Sequence, residues 1–326
     1  MRILGIGNAL VDIVTSLNDD KLLGRFNLPR GSMTLVDRET SNMMNMETSA
    51  LVKTMASGGS AANTIHGLAN LGIETAFIGK IGQDDLGKFF MNDMKKANIN
   101  PVLYQSYNDT GRVMAYVSPD SERTMATYLG AAVELSSEDI TTDVFNGFSY
   151  LYIEGYLINN LELVNKAIRM ARKNGLRICI DLASYNIVEE YKKVLLDDVL
   201  INTDIIFANE EEARSLTGFE PSQALDEISK MCEIAVVKTG ADGSLIKKGE
   251  NQIEVPALKV ESIDTTGAGD IYAAGFLYGQ AKELSLEKSA AIGTLLASEV
   301  IQIMGPKIFP EKWKELKERI LKIETI

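Results

Sequence analysis

The amino-acid sequence predicts an α/β fold in which a mostly parallel sheet carries helices on both faces. After residue 145, short apolar runs alternate with helical patterns, an order typical of parallel strands joined by helices. The predicted strands are residues 149–155, 177–181, 204–209 and 233–239. A second observation is that two glycine-rich turns, in residues 57–72 and 264–277, each lead into an apolar helical pattern.

Composition indicates one globular unit over residues 1–326. Hydrophobic residues make up 45% of the chain and charged residues 24%, which is ordinary for a protein with a full core. The net charge of −12 argues against a sequence-independent nucleic-acid binder, which needs a basic surface. Cys179 and Cys232 are too few for a disulfide framework or a metal cluster. We find no signal-peptide pattern and no apolar run of membrane-spanning length, so we expect a cytoplasmic protein with no nucleic-acid or membrane partner.

Residues 2–7 predict a buried strand that is followed by two polar residues, Asn8 and Asp12. In open α/β sheets, ligands bind at the carboxyl ends of the strands, so both side chains are candidates for ligand contact. A dinucleotide-binding fingerprint fails here because Leu10 stands at its third glycine position, which argues against a dehydrogenase.

Residues 10–38 and 101–128 predict a small β structure outside the main sheet. Both segments contain short apolar pieces separated by turn residues, and the second reads as a hairpin or meander. Together they would form a small sheet over one edge of the core. Arg123 would lie in that sheet or just beneath it.

The first glycine-led helix start contains Gly58 and Gly59, with Asn63 one turn into the helix. Glycines let a ligand approach the backbone closely. The alternative is an ordinary connection between a strand and a helix, with an exposed Asn.

The second helix start contains Gly267, Ala268 and Gly269, followed by Asp270. Unpaired N–H groups and the helix dipole favour an anion at such a helix start. Asp270 could cap the helix, or it could take a proton from a hydroxyl that attacks a phosphate. This stretch alone leaves both interpretations open.

Polar residues also follow the strands of the second half of the chain. They are Glu154, Asp181, Asn209 with Glu212, and Lys238-Thr239-Gly240. Their convergence on one rim suits phosphoryl transfer to a small molecule, which depends on positioning and charge neutralisation. The sequence contains neither a P-loop nor the protein-kinase HRD loop, and its single histidine, His66, argues against histidine triads and zinc sites.

Four motifs, in order, resemble those of the ribokinase-like carbohydrate and nucleoside kinases, also called the PfkB family. DTTGAGDIYAAGFL (264–277) resembles the family's C-terminal signature, and GGSAANT (58–64) resembles its N-terminal motif. FIGKIGQDDLG (77–87) resembles the strand and loop that follow, and FANEEEA (207–213) the N-x-x-E motif. The resemblance covers nearly the whole chain. It implies a three-layer α/β/α core with a mostly parallel central sheet and a small β-sheet lid.

The resemblance also implies roles for the phosphate-binding residues. Asp270 would be the base that deprotonates the acceptor hydroxyl, while Asn209 and Glu212 would organise Mg²⁺ and phosphate through water molecules. The backbone N–H groups that would form the anion hole belong to Gly267, Ala268 and Gly269.

The acceptor and the nucleotide would bind on either side of the transferred phosphate. The residues expected to hold the acceptor are Asn8, Asp12, Gly58, Gly59, Asn63 and Arg123. The residues expected to line ATP are Asn209, Glu212, Lys238, Thr239, Gly240 and Gly243. The resemblance leaves open whether K⁺ binds near Asp264 and Thr266, and whether the protein is a monomer or a homodimer.

Within the family, the segments GNALVD, YLGAA, EGYL and FANEEEA look most like adenosine kinases and their bacterial relatives. They imply ATP-dependent phosphorylation of the 5′-hydroxyl of a ribonucleoside, with adenosine favoured. The candidates for an apolar purine slot are Met33, Leu35, Met114 and Leu129. The alternatives are a sugar kinase acting on ribose, fructose or a related monosaccharide, and a non-catalytic protein that binds a sugar or nucleoside.

Overall fold

A computed structural model describes residues 1–120 and 122–325. The strands are β1 (Arg2–Ile6), β2 (Leu10–Ser16), β3 (Met33–Leu35), β4 (Lys53–Gly58), β5 (Glu74–Gly82), β6 (Ile99–Ser106), β7 (Gly111–Val117), β8 (Arg123–Tyr128), β9 (Tyr150–Glu154), β10 (Arg177–Asp181), β11 (Ile205–Asn209), β12 (Ile234–Lys238), β13 (Ser244–Lys248) and β14 (Asn251–Val255). The helices are α1 (Lys21–Arg25), α2 (Arg38–Glu47), α3 (Ser60–Asn70), α4 (Asp85–Lys96), α5 (Leu161–Lys173), α6 (Tyr185–Val194), α7 (Glu210–Thr217), α8 (Pro221–Ile228), α9 (Ala268–Ala281), α10 (Leu286–Val300) and α11 (Lys312–Thr325). Among the described residues, we find no helix that is both long enough and apolar enough to cross a bilayer.

The main sheet has nine strands in the order β14-β13-β12-β11-β10-β9-β1-β5-β6. The strands from β12 to β6 pair in parallel, and β13 and β14 extend one edge in antiparallel pairing. Successive strand residues enter different cores: Ile3 packs on the side of α3, α9 and α10, and Leu4 on the side of α5, α7 and α8. Both faces are therefore covered by helices, and the predicted three-layer α/β/α architecture is confirmed.

A second sheet has five strands in the order β3-β8-β7-β2-β4. Its composition differs from the predicted segments in two ways. Residues Lys53–Gly58 join it as β4, and Ile99–Ser106 instead form β6, the edge of the main sheet. The side chains of β6 are mostly half-buried, because an edge strand is covered on one side only. A strand of a small meander has the same half-buried side chains. The sequence therefore did not distinguish an edge strand of the main sheet from a strand of the small sheet.

The small sheet has two distinct faces. Ile13, Met114 and Ala126 lie opposite one another in register, and all three are buried in the same core as Leu23 of α1 and Met44 of α2. Helices α1 and α2 therefore cover this outer face. The prediction that Met114 lines a purine slot is wrong, because its side chain points away from the face that carries Asp12.

Helix α9 lies at the centre of one core, and most of its side chains are buried. Its sequence is apolar on all sides, as expected for a helix enclosed by neighbours. Two glycines let those neighbours approach closely. A Cβ on Gly275 would come within 2.7 Å of the Cα of Gly293 in α10, and a Cβ on Gly67 of α3 within 2.8 Å of the Cβ of Ala274. These contacts set the position of α9 relative to α10 and α3.

We expect Gly275→Ala to destabilise the protein by about 1–3 kcal/mol, because the added methyl group overpacks a helix contact made of backbone atoms. Thermal unfolding measures the effect. Gly24→Ala in α1 is the matched control, since a Cβ there meets no atom within 4 Å and the substitution should be neutral or slightly stabilising. Equal melting temperatures for the two variants would contradict the close packing of α9 on α10.

Candidate active site

Polar residues from five strands of the main sheet meet at its carboxyl edge. Asn8 follows β1, and Glu154, Asp181, Asn209 and Lys238 end β9, β10, β11 and β12. The register places Glu154 beside Asp181 and Asn209 beside Lys238. The predicted convergence at one rim is therefore present in the structure.

Asp270 lies where the starts of α3 and α9 meet. Ser60 Oγ donates a hydrogen bond to Asp270 Oδ1 at 2.7 Å, and Asn63 Nδ2 donates to Oδ2 at 3.0 Å. The residue that caps α9 is Gly267, with no side-chain cap bond, and Asp270 is the third residue of the helix. Its carboxylate thus binds side chains of a different helix, and the capping interpretation does not hold.

The turn before Asp270 presents backbone N–H groups beside the carboxylate. Gly267 has φ = 76°, and a Cβ on it would lie 2.6 Å from the Cβ of Pro306, so only glycine fits this turn. Ala268 N–H donates to the carbonyl of Thr265 at 3.1 Å. Among the described residues, we find no acceptor for the N–H groups of Gly267 or Gly269. Two of the three predicted anion-hole donors are therefore free.

One lysine faces several carboxylates at this point. Lys238 Nζ forms an ion pair with Asp181 Oδ2 at 2.8 Å, and a Cβ on Gly269 would lie 3.0 Å from the same nitrogen. Burial acts to lower the pKa of Lys238, but Asp181 and Glu212 outweigh burial and raise it. Lys238 therefore stays charged next to the turn at residues 267–269. Its position is at that turn as well as at the predicted nucleotide-binding segment.

Burial also shifts the acids of the site. It raises the pKa of Asp270 to about 7, against the opposing hydrogen bonds from Asn63 and Ser60. It raises the pKa of Glu212 to about 7 as well, where Lys238 acts in the opposite direction. A carboxyl with a pKa near neutrality suits a group that accepts a proton at physiological pH.

Asn209 and Glu212 form a reciprocal capping box at the start of α7. Asn209 Oδ1 accepts from the Glu212 N–H at 2.8 Å, and Glu212 Oε2 accepts from the Asn209 N–H at 2.8 Å. Asn209 Nδ2 also donates to Glu212 Oε1 at 2.8 Å. The motif thus has a structural role, while each carboxylate oxygen keeps a lone pair for a water or a cation.

The expected acceptor-binding residues lie where the chain passes between the two sheets. A Cβ on Gly58 would lie 2.5 Å from Asp12 Oδ2, and a Cβ on Gly59 would lie 2.1 Å from the carbonyl oxygen of Asn8. Both glycines are thus required for the close approach of these segments. Among the described residues, none donates a hydrogen bond to the Asp12 carboxylate, although the residue is buried and burial raises its pKa. Such a carboxylate is available to a substrate hydroxyl.

Glu154 holds Asn8 in place. Glu154 Oε1 accepts from the Asn8 N–H at 2.8 Å and from Asn8 Nδ2 at 2.6 Å, and Oε2 accepts from the Ala61 N–H at 3.0 Å. Burial raises the pKa of Glu154 to about 7. The Asn8 side-chain amide therefore keeps its oxygen and one of its two N–H groups available for a ligand.

Arg123 links the small sheet to the segment before the glycine turn. Its Nη1 lies 2.8 Å from Asp264 Oδ2, and both side chains are 7% exposed. The Asp264 carboxylate also accepts from the N–H groups of Gly305 and Thr266 and from Thr266 Oγ1. Arg123 is thus a buried member of an ion pair. The K⁺ site near Asp264 and Thr266 stays a prediction.

Residues 239–243 form the predicted tight turn between β12 and β13. The Thr239 N–H donates to the Gly243 carbonyl at 2.8 Å, and Gly240 and Gly243 have φ values of 52° and 113°. Gly240 is exposed, so the turn is accessible to a nucleotide.

Sequence reasoning placed Glu154 and Asp181 at the rim as polar strand ends but gave them no individual role. It gave no role to four further residues that the structure brings to the site: Ser60, which belongs to the GGSAANT motif, and Ser57, Asp93 and Lys307. Lys307 follows a glycine-proline stop more than 200 residues from its partners Ser57 and Asp93, and local sequence carries no signal for such contacts.

Comparison with known proteins identifies the family. Residues 33–313 match the pfkB family carbohydrate kinase description. The chain belongs to this family. A probable sugar kinase from Rhizobium etli has a similar structure, with 36% identity, a TM-score of 0.87 and coverage of 99% of this chain and 98% of that chain. The adenosine kinase from Sinorhizobium meliloti shares 34% identity and a TM-score of 0.86, with coverage of 97% and 98%. The adenosine kinase of Saccharomyces cerevisiae is 26% identical over 94% of this chain and 96% of its own length.

As a member of the pfkB family, the protein is a phosphotransferase that acts on an alcohol group. The family uses ATP, and Mg²⁺ is generally needed. Among the described residues, no cluster of three or more His, Cys, Asp or Glu side chains is arranged to hold a metal ion. The charge balance nevertheless fits Mg²⁺, because Asp181, Glu212 and Asp270 all act on the single cation Lys238. Mg²⁺ usually keeps several waters and binds through one or two carboxylates and the substrate phosphates. Glu212 and Asn209 fit such indirect binding.

The raised pKa of Asp270 predicts a pH-dependent stability difference in the kinase. An unfolded chain releases this proton near pH 3.8 and the folded chain near pH 7, so ionisation favours the unfolded state increasingly between these values. Asp270→Asn removes the ionisation. We therefore expect its melting temperature, relative to the wild type, to rise between about pH 4 and pH 7 and to level off above, measured by thermal unfolding without ligands. Asp242→Asn, at an exposed turn, is the control and should show no such trend. A melting-temperature difference between Asp270→Asn and the wild type that does not change with pH would contradict the raised pKa of Asp270.

Proposed function

We propose that this kinase transfers the γ-phosphoryl group of ATP to the 5′-hydroxyl of a ribonucleoside, with adenosine favoured and Asp270 as the base. The observation that carries the proposal is the position of the Asp270 carboxylate. Ser60 and Asn63 hold it beside the free N–H groups of Gly267 and Gly269. A proton acceptor and an anion site therefore adjoin, as in-line phosphoryl transfer requires.

In this mechanism Asp270 accepts the proton of the attacking hydroxyl, whose oxygen forms a bond to the γ-phosphorus while the bond to the bridging oxygen breaks and ADP leaves. The free N–H groups of the turn and Lys238 stabilise the negative charge on the transferring phosphate. Mg²⁺ supplies further positive charge at the phosphates when it is bound. Asp12 accepts a hydrogen bond from a second hydroxyl of the acceptor, which fixes the orientation of the attacking one.

The apolar face of the small sheet supports a nucleoside over a free sugar. Asp12, Val113, Thr127 and Leu35 lie opposite one another in register across β2, β7, β8 and β3, so their side chains share one face. Next to them, Leu10 packs in an apolar cluster with Val113, Ala132 and Leu129. An acceptor held at Asp12 would therefore extend its other end over apolar side chains, which suits a purine base.

The sugar-kinase alternative rests on the likeness to the Rhizobium etli protein, which is described as a probable sugar kinase. The adenosine kinase of Sinorhizobium meliloti resembles this chain almost equally, so the comparisons favour neither substrate over the other. The apolar face of the small sheet is what favours the nucleoside.

A phosphorylation screen with ATP and Mg²⁺ tests the proposal. We expect turnover of adenosine and little or none of ribose or fructose, measured by product chromatography. Running the screen in KCl and in choline chloride also tests the predicted K⁺ site. Asp270→Asn should lower kcat by about 10²–10⁴-fold while adenosine still binds, because a positioned base is lost and the shape of the site is kept. Products from free sugars alone would contradict the nucleoside assignment. Unchanged turnover in Asp270→Asn would contradict the base.

Leu35 allows a test of the proposed purine-binding face of the small sheet. Its side chain is 61% exposed, so its removal should leave the fold intact. We expect Leu35→Ala to raise KM for adenosine about tenfold, because an apolar contact with the base is lost, and to leave the melting temperature unchanged. Leu321→Ala, 58% exposed on α11, is the control and should leave KM unchanged. An unaltered KM in Leu35→Ala would show that the base does not lie on this face.

A further inference from the structure

Residues 305–307 connect the proposed phosphate-binding turn, residues 267–269, to the end of β4 in the small sheet. The Gly305 N–H donates to Asp264 Oδ2 at 2.8 Å, and Pro306 packs against Gly267 so closely that a side chain there would clash. The next residue, Lys307, reaches in the other direction to α4 and β4. Three successive residues therefore contact both halves of the candidate active site.

Lys307 is buried among polar partners. Its Nζ donates to Ser57 Oγ at 2.6 Å and lies 3.1 Å from Asp93 Oδ2, and its side chain is 15% exposed. Asp93 in turn accepts from the N–H and the Oγ of Ser57, at 3.1 and 2.6 Å. A lysine and an aspartate thus fix Ser57 of β4, which immediately precedes Gly58 and Gly59.

We propose that Lys307 is a positioning residue that fixes Gly58 and the Asp12 carboxylate relative to the phosphate-binding turn. Gly58 directly follows Ser57 and lies against the Asp12 carboxylate. Attack on a phosphorus atom requires an accurately placed acceptor hydroxyl, since a misplacement of about 1 Å can cost about 10²-fold in rate, so a rigid link between the two sites contributes to the rate. This inference rests on the proposed role of Asp12 in binding the acceptor.

Lys307 also acts on the charge of Asp12, by opposing the rise in its pKa. Burial raises the pKa of this carboxyl, and the two cations that oppose the rise are Arg123 from β8 and Lys307. The charged groups that act on Lys307 are Asp93 from α4 and Asp12 from β2, while His66 of α3 lies near enough for Lys307 to lower its pKa. Removal of Lys307 therefore raises the pKa of Asp12 further, and the carboxylate loses its charge at a higher pH.

The test compares Lys307→Met and Lys307→Arg, with Lys314→Met on exposed α11 as the control. Adenosine binding is measured by calorimetry between pH 5 and 8 in the Asp270→Asn background, where Asp270 does not titrate. We expect Lys307→Met to weaken adenosine binding about 10–100-fold, to leave the KM for ATP of the otherwise wild-type enzyme within about twofold, and to move the acid limit of adenosine binding to higher pH. Lys307→Arg keeps the charge and should keep the wild-type limit.

The outcomes separate the inference from the proposed function. The pH below which adenosine binding is lost could stay the same in Lys307→Met, or the affinities for ATP and adenosine could fall in parallel. Either result would show that Lys307 only stabilises the fold. If adenosine does not bind the Asp270→Asn parent, the nucleoside proposal fails, and the same series with ribose tests Lys307. Asp12→Asn that binds the acceptor as well as its parent would contradict the role of Asp12 and, with it, the inference.

The single histidine gives a check that needs no acceptor. Burial and then Lys307 lower the pKa of His66 to about 3, with Asp93 acting in the opposite direction. Lys307→Met should raise this pKa, because it removes a positive charge and leaves Asp93 unpaired, whereas Lys307→Arg should leave it low. The imidazole proton signal, followed by NMR against pH, reports the change. The same low pKa in Lys307→Met would place the charge of Lys307 away from this cluster and overturn the inference.

Discussion

Negative charge exceeds positive charge at the carboxyl edge of the main sheet, and this imbalance governs the site. Asp181, Glu212 and Asp270 share one buried cation, Lys238. Each carboxylate is kept in place by specific donors: Ser60 and Asn63 for Asp270, and the N-terminal backbone of α7 for Glu212. Burial raises the pKa values of Asp270 and Glu212 to about 7, so at neutral pH each carboxyl is partly protonated, and a nearby cation would favour its ionised form. In the proposed reaction, Mg²⁺ near Glu212 would supply such a cation beside the free N–H groups of the turn.

The glycines of the chain make this concentration of polar groups geometrically feasible. Gly267 provides the left-handed turn, and Gly67 and Gly275 allow α9 to pack closely on α3 and α10. The carboxylate of Asp270 can therefore reach side chains of α3 without a long connection. Most side chains of the helix that carries Asp270 are buried, so the position of this carboxylate depends on packing as well as on hydrogen bonds.

The sequence was sufficient for the features that depend on local pattern. The strand–helix alternation after residue 145 predicted β9 to β12 and their parallel pairing, and the polar strand ends predicted the rim. It did not predict what depends on register or on distant contacts. Side chains alternate between the two faces of a strand, and the pairing of Met114 with Ile13 places Met114 on the outer face. A shift of the pairing by one residue would place it on the other face. Whether Asp270 caps its helix or binds α3 depends on the packing of two helices, and the contacts of Lys307 join parts of the chain that no local pattern relates.

The crossings between the two sheets have a consequence for how the protein responds to its acceptor. Two of these crossings lie at Asn8 and at Gly58–Gly59, beside the Asp12 carboxylate, and α1 and α2 cover the outer face of the small sheet. A molecule bound to these residues contacts both sheets where they join. In the proposed function the acceptor is such a molecule, so part of its binding energy is available to favour one relative orientation of the two sheets.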